Sequence, residues 1–237
     1  MNPYDKLMSR KRKWTPVQTE AGQLREGAEA TIYRALALRH MELPVGDFIT
    51  DALQSEVPEV ARDILVSNVK DEENHGLALS YIANAIGVDQ QAEAEALRLR
   101  DAWVAHPDHT ITKAMVAERA IFFVLLPFFR FCGDAGLRTV SADISRDEQI
   151  HVATNSLVCR ELGLTISPSL DKLRKASINW VMQPLGNSPD KYLNKKFWLD
   201  SSDRLMYEGK APELSETKAA RMPAFFEHNN INLPKYA

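Results

Sequence analysis

The chain of 237 residues is long enough for one large domain with a substantial core. Its net charge of −3 predicts neither a nucleic-acid partner nor a membrane surface, and no apolar run reaches the length of a transmembrane helix. The two cysteines, Cys132 and Cys159, form no C-x-x-C pair, which favours free thiols in a reducing cytoplasm.

Helical patterns dominate the chain, since it has only 10 glycines and no long alternation of β-branched residues. The sequence predicts one all-α domain over 1–237, with 1–19 as an N-terminal segment and 229–237 as a short tail. The basic run RKRK at 10–13 is interpreted as solvated. Prolines and glycines separate helices expected near 20–42, 47–56, 58–86, 90–104, 109–132, 135–162, 168–182, 189–208 and 215–228.

Two of the long predicted helices carry a Glu-x-x-His pair, Glu72 with His75 and Glu148 with His151. Residues three apart on an α-helix lie on one face, about one turn from each other. Two such helices that face each other would bring two carboxylates and two imidazoles to one point.

A further glutamate precedes each pair at the same distance. Glu118, in a strongly apolar stretch, lies 30 residues before Glu148, and Glu42 lies 30 residues before Glu72. A carboxylate among apolar groups is costly unless it is paired or binds a metal. The spacing brings each lone glutamate level with the pair on the next helix. Glu29 is an alternative to Glu42, but its distance of 43 residues from Glu72 breaks the symmetry.

Four glutamates and two histidines on four helices are the ligand set of the di-metal carboxylate bundles. Carboxylates together with imidazoles suit iron or manganese. The sequence therefore predicts a centre of two metal ions in a four-helix core. Its predicted ligands are Glu42, Glu72, His75, Glu118, Glu148 and His151.

Residues 117–151, from AERAIFF to ISRDEQIH, resemble the small, radical-generating subunit of class I ribonucleotide reductase. Residues 49–75 resemble the preceding helix pair of that family, and KWTPVQTE at 13–20 resembles its N-terminal tryptophan segment. SDRLMYEGKAPEL and FFEHNN resemble its C-terminal part, so the resemblance covers nearly the whole chain. It implies a ferritin-like bundle with a four-helix di-metal core and additional C-terminal helices, and the six ligands named above.

The family resemblance also implies roles outside the metal ligands. Asp147 matches the acid that links a metal-bound histidine to the radical-transfer tryptophan, which is Trp14 here. The resemblance also implies that its histidine partner is His75. Asp147 lies about 100° round the helix from Glu148, so it can face a neighbouring helix while Glu148 faces the metals. Tyr236 is a candidate relay tyrosine in the tail, with an incidental terminal residue as the alternative.

Further expectations follow from the resemblance. The chain would form a homodimer, activate O2, and supply the oxidising equivalent to a large subunit that reduces ribonucleotides. Leu79 stands where the family has its radical tyrosine, and Tyr81 is expected to face away from the metals. This departure favours a Mn/Fe centre over Fe/Fe, and leaves a stand-alone di-metal oxidase or oxygenase as the alternative function. Phe122 and Leu126 are expected to cover the metals.

Overall fold

The computed structural model describes residues 2–55 and 57–214. Within these ranges the chain is helical and forms no strand beyond one isolated bridge between Asn187 and Asn194. The all-α prediction is confirmed for this part of the chain. The helix expected over 215–228, the tail 229–237 and Tyr236 lie outside the described residues.

Ten α-helices and one π-helical turn occur in the described ranges. In chain order they are α1 (Pro3–Met8), α2 (Glu29–Ala37), α3 (Glu42–Leu53), α4 (Arg62–Ile86), α5 (Gln90–Ala105), α6 (Thr110–Ala117), the π turn (Glu118–Phe122), α7 (Phe123–Cys132), α8 (Ala135–Glu161), α9 (Pro168–Met182) and α10 (Lys195–Glu208).

Helices that follow a clear capping residue begin where the sequence predicts. The Asp89 and Asp134 side chains accept from backbone N–H groups in the first turns of α5 and α8, and Ser167 does the same for α9. Such side chains satisfy N–H groups that have no acceptor within the helix. The start of α10 was predicted six residues too early, because Asn194 caps it and a short 3-10 turn precedes it.

The predicted helices near 20–42 and 47–56 are wrong in their bounds. Residues 20–28 are not helical: Gly27 has a φ of 82°, and the Gly22 N–H donates to Asp134 Oδ2 at 2.8 Å. A 3-10 turn over 38–41 separates α2 from α3. Pro44, expected to end a helix, is the third residue of α3, where its missing N–H breaks no bond. Glu42 therefore begins a helix instead of closing one.

The helix predicted over 109–132 is interrupted by the π turn. The N–H of Phe123 donates to the Glu118 carbonyl, five residues back, where an α-helix would use four. The turn widens the helix at Glu118. Nothing in the sequence predicted it.

Four helical units pack in a closed ring, if α6, the π turn and α7 are counted as one continuous unit. In this ring α3 packs on α4, α4 packs on α8, α8 packs on α6 and α7, and α6 packs on α3. α9 and α10 pack on the π turn from the outside, and α1 packs on α4 and α8. The apolar side chains of these helices form one continuous buried cluster. Within the described ranges, no helix has both the length and the apolar character needed to cross a membrane.

Candidate metal centre

All six predicted ligands meet inside the ring of helices. Glu42 is the first residue of α3, Glu118 is the first residue of the π turn, and the two Glu-x-x-His pairs lie in the middle of α4 and α8. Glu42 is 3% exposed, and the other five are fully buried. Glu29, the alternative first ligand, is exposed at the start of α2 and lies outside the cluster.

The six side chains form two overlapping groups, each of which could hold a metal ion. One group consists of Glu42, Glu72, His75 and Glu148, and the other of Glu72, Glu118 and His151. In each group, one donor atom from every member lies within 4.8 Å of the others. Glu72 belongs to both groups, so its two oxygens can serve two ions. The two imidazole rings stack with their centroids 5.6 Å apart.

The donor atoms of this cluster fit metal ions better than they fit one another. The buried atoms without a hydrogen-bond partner include both Oε atoms of Glu72 and Glu148, one Oε each of Glu42 and Glu118, and Nδ1 of His75 and His151. Each such atom costs about 1–3 kcal/mol when it is left unsatisfied in a protein interior. Cations at the centre of the cluster would satisfy all of them.

An aspartate orients each histidine from the outer side. Asp147 Oδ2 lies 3.3 Å from His75 Nε2, which is the contact expected from the sequence. Asp71 Oδ2 lies 3.0 Å from His151 Nε2. An acid in this position fixes the proton on Nε2 and leaves Nδ1 free to bind a metal ion.

Asp71 was missed by the sequence reasoning, although a signal was present. Both motifs read Asp-Glu-x-x-His, in DEENH and in DEQIH, and each aspartate orients the histidine of the opposite helix. Asp71 also forms an ion pair with Lys11, whose Nζ donates to Asn68 Oδ1 at 2.7 Å. The Lys11 side chain is only 9% exposed, so the interpretation of the whole basic run as solvated is wrong at this residue.

Trp14 completes a continuous contact to the centre from the N-terminal segment. Its Nε1–H donates to Asp147 Oδ2 at 2.6 Å, and the same oxygen faces His75. The Trp14 and His75 rings are nearly parallel, with centroids 6.2 Å apart and 20° between their planes. The three side chains therefore link the predicted metal ligand to the N-terminal segment.

A glycine on each of α3 and α4 faces the glutamate of the other helix. Both helices contain Glu-x-x-x-Gly, ending at Gly46 and Gly76. A Cβ at Gly46 would lie 3.5 Å from the Glu72 Cβ, and one at Gly76 would lie 3.7 Å from the Glu42 Cβ. Both distances are ordinary van der Waals contacts, so an added methyl group at either position would touch the glutamate without displacing it.

Four further residues near the cluster can be compared with what the sequence predicts for them, and one more was not predicted. Asn155, which the sequence reasoning did not single out, donates from Nδ2 to Glu118 Oε2 at 2.7 Å. Leu79 is buried in the core, and Tyr81 is partly exposed. Phe122 and Leu126 are buried in the apolar cluster; their role as a cover for the metals stays a prediction.

Burial and mutual charge shift the titration of the cluster strongly. Burial raises the pKa of Glu42 to about 8. Burial and the charge of Glu148 hold the pKa of Glu118 well above its usual range. Burial alone would lower the pKa of His151, but the nearby charge of Glu72 and the contact with Asp71 raise it to about 10. The pKa of His75 is also raised, because the four carboxylates around its ring outweigh its burial.

These shifts predict that metal binding releases protons. In the metal-free protein both imidazoles favour the protonated form, because the pKa of His151 is raised to about 10 and that of His75 well above its usual value, while a metal needs the neutral ring. Each ion binds one imidazole, so the proton that this ring must release should weaken the binding of that ion at least about tenfold for each unit by which the pH falls near neutrality. Mn(II) titrations at about pH 6.5 and 7.5 test this pH dependence, and the affinity should be lower at pH 6.5. Equal affinities at both values would contradict it.

The fold and the cluster together define an all-α protein with a buried group of glutamates and histidines that could bind metal. Comparisons of the chain with protein-family models, with curated proteins and with solved structures found no match.

Proposed function

We propose that the chain is the radical-generating small subunit of a class I ribonucleotide reductase, with a ferritin-like core and a di-metal centre. The observation that carries this proposal is the contact series from Trp14 through Asp147 to His75, at 2.6 and 3.3 Å. Metal binding alone explains the aspartate that orients His75. It does not explain a tryptophan hydrogen-bonded to the same oxygen.

A redox-active metal pair, which we infer to be Mn/Fe in preference to Fe/Fe, would supply a strong oxidant after reaction with O2. The chain's own residues then determine where the oxidising equivalent goes. With the metals bound, Trp14 would be the electron donor and His75 would connect it to the centre. Asp147 could hold the indole proton, since it already accepts that hydrogen bond. The buried ligand cluster excludes water from the oxidant.

The proposal includes partners that the resemblance implies. A large subunit would receive the oxidising equivalent and reduce ribonucleotides to deoxyribonucleotides in the cytoplasm, and the chain would work as a homodimer. Leu79 excludes a tyrosyl radical at the family's usual position, so the equivalent would be stored on the metals.

Activity with a matched large subunit tests this function. The metal-free protein is loaded anaerobically with Fe(II) alone or with Mn(II) and Fe(II), exposed to O2, and assayed for deoxyribonucleotide formation. We expect turnover with at least one loading, and the higher activity with Mn plus Fe. Absence of turnover under every loading, in protein shown to contain both metals, would rule the function out.

A stand-alone di-metal oxidase or oxygenase is the second candidate, and a surface cleft favours it. The cleft has a volume of about 750 Å³, and its lining includes Leu43, which follows Glu42, and Gly76, which follows His75. A small organic substrate in this cleft would lie close to one side of the centre. O2 consumption that requires an added organic substrate, without ribonucleotide reduction, would identify this function.

A further inference from the structure

The π turn that carries Glu118 is contacted from outside by the C-terminal helices. The Ser202 hydroxyl, in α10, donates to the Ala120 carbonyl at 2.6 Å. This carbonyl lies in the middle of the turn, two residues after Glu118. Ser202 is fully buried, so the bond has no competition from solvent.

A buried arginine fixes Ser202 in turn. Arg174, in α9, donates from Nη1 to the Ser202 hydroxyl at 2.7 Å and is itself fully buried. Asp171 and Asp203 accept from its other guanidinium nitrogens at 2.8 and 2.7 Å. The guanidinium is therefore held on three sides, and its charge is paired as burial requires.

A second contact runs from the turn back to α10. Arg119, the residue after Glu118, donates from Nε to the Leu205 carbonyl at 2.8 Å. Its guanidinium lies against Gly209, where an added Cβ would meet Nη2 at 2.7 Å. The turn is thus attached to α10 at two neighbouring residues.

A π turn is an uncommon conformation that other contacts must stabilise against the α-helical register. Return to the α register would rotate the residues on one side of the turn by about 100° relative to those on the other side. Glu118 lies at the start of the turn, so this rotation would redirect its carboxylate. In the structure that carboxylate points at His151 Nδ1, 3.8 Å away.

We propose that Ser202 and Arg174 are positioning residues for Glu118. Through the Ala120 carbonyl they hold the π turn open and aim the Glu118 carboxylate at the metal position shared with Glu72 and His151. This inference rests on the proposed metal centre, and it gives the helices that follow α8 a specific function in building that centre.

The test is Ser202→Ala, which deletes one hydroxyl, with Ser201→Ala as the matched control. Ser201 is the adjacent residue and is also fully buried, but its hydroxyl contacts the Phe197 carbonyl and Glu213, away from the π turn. Both variants lose a buried hydroxyl, and Ser202→Ala also leaves Arg174 Nη1 without its acceptor, so it is expected to lose more thermal stability than Ser201→Ala. Only Ser202→Ala loses the contact to Ala120.

The readouts are anaerobic Mn(II) titration followed by electron paramagnetic resonance, and the ligand-field spectrum of the Co(II)-loaded protein. Ser202→Ala should bind the ion at Glu72, Glu118 and His151 about tenfold or more weakly, with an altered Co(II) spectrum. The ion at Glu42 and His75 should be unaffected. Ser201→Ala should match the wild type, and Ser202→Thr, which keeps a hydroxyl, should recover binding.

Wild-type binding of both ions by folded Ser202→Ala would overturn the proposal, as would an equal loss in Ser201→Ala. If Ser202→Ala does not fold, Ser202→Cys replaces it, because a thiol is a weak donor and should also weaken the same ion. Neither readout uses O2 or ribonucleotides, so a negative result here is distinguishable from failure of the proposed function.

Discussion

Under the proposed function, replacement of Asp147 by alanine is expected to abolish ribonucleotide reduction, while both metal ions should still bind at saturating concentration. The substitution leaves Trp14 Nε1 and His75 Nε2 without their shared acceptor and breaks the contact series from the indole to the centre. None of the six metal ligands is altered. Turnover with a matched large subunit, measured at full metal occupancy, should fall to background.

Asp71→Ala is the matched control for this experiment. Asp71 orients His151 as Asp147 orients His75, but its further partner is Lys11 and not a tryptophan. Loss of an orienting acid costs about 10–100-fold in metal affinity. Saturating metal should therefore restore much of the turnover in Asp71→Ala but none in Asp147→Ala. Equal turnover in the two variants at full occupancy would show that Asp147 acts only on the metal site.

Replacement of Glu72 by alanine should have the largest effect on metal content. Glu72 belongs to both ligand groups, whereas Glu42 belongs to one. Glu72→Ala should therefore weaken the binding of both ions. Glu42→Ala should weaken only the binding of the ion in the group that contains His75. Metal analysis after anaerobic reconstitution should give close to none for Glu72→Ala and about one ion per chain for Glu42→Ala.

Glu73→Ala provides the control for these ligand variants. Glu73 is the exposed neighbour of Glu72 on the same helix, so the substitution changes the same charge without reaching the centre. It should retain wild-type metal content, and circular dichroism should show that all three variants keep their helices. Two ions in Glu72→Ala would contradict the shared position of this carboxylate.

The clustering of the six candidate ligands was predictable because their spacing is periodic. Residues three apart share a helix face, and the 30-residue spacing returns the chain to the same level of the bundle. The structure brings together all six predicted residues and places Asp147 between Trp14 and His75. The first residue of a helix was also predictable where a capping side chain precedes it. Asp134, for example, accepts a hydrogen bond from a backbone N–H in the first turn of α8.

Features that depend on distant partners were not predictable from the sequence. The π turn at Glu118 is contacted by Ser202, more than 80 residues away, and nothing local to Glu118 indicates it. Lys11 looked solvated because its acceptor, Asp71, lies on another helix. The prediction that a helix ends just before Pro44 was wrong for a different reason. A proline is compatible with the first turn of a helix, where Pro44 lies, as well as with the end of one.

The central claim is that this cluster holds two metal ions, and anaerobic titration with Fe(II) or Mn(II) tests it most directly. The account predicts saturation at about two ions per chain, and anomalous diffraction from the loaded protein should place them between α3, α4, the π turn and α8. Saturation at about one ion per chain or fewer after full anaerobic reconstitution would contradict it. So would ions bound outside the ring of helices.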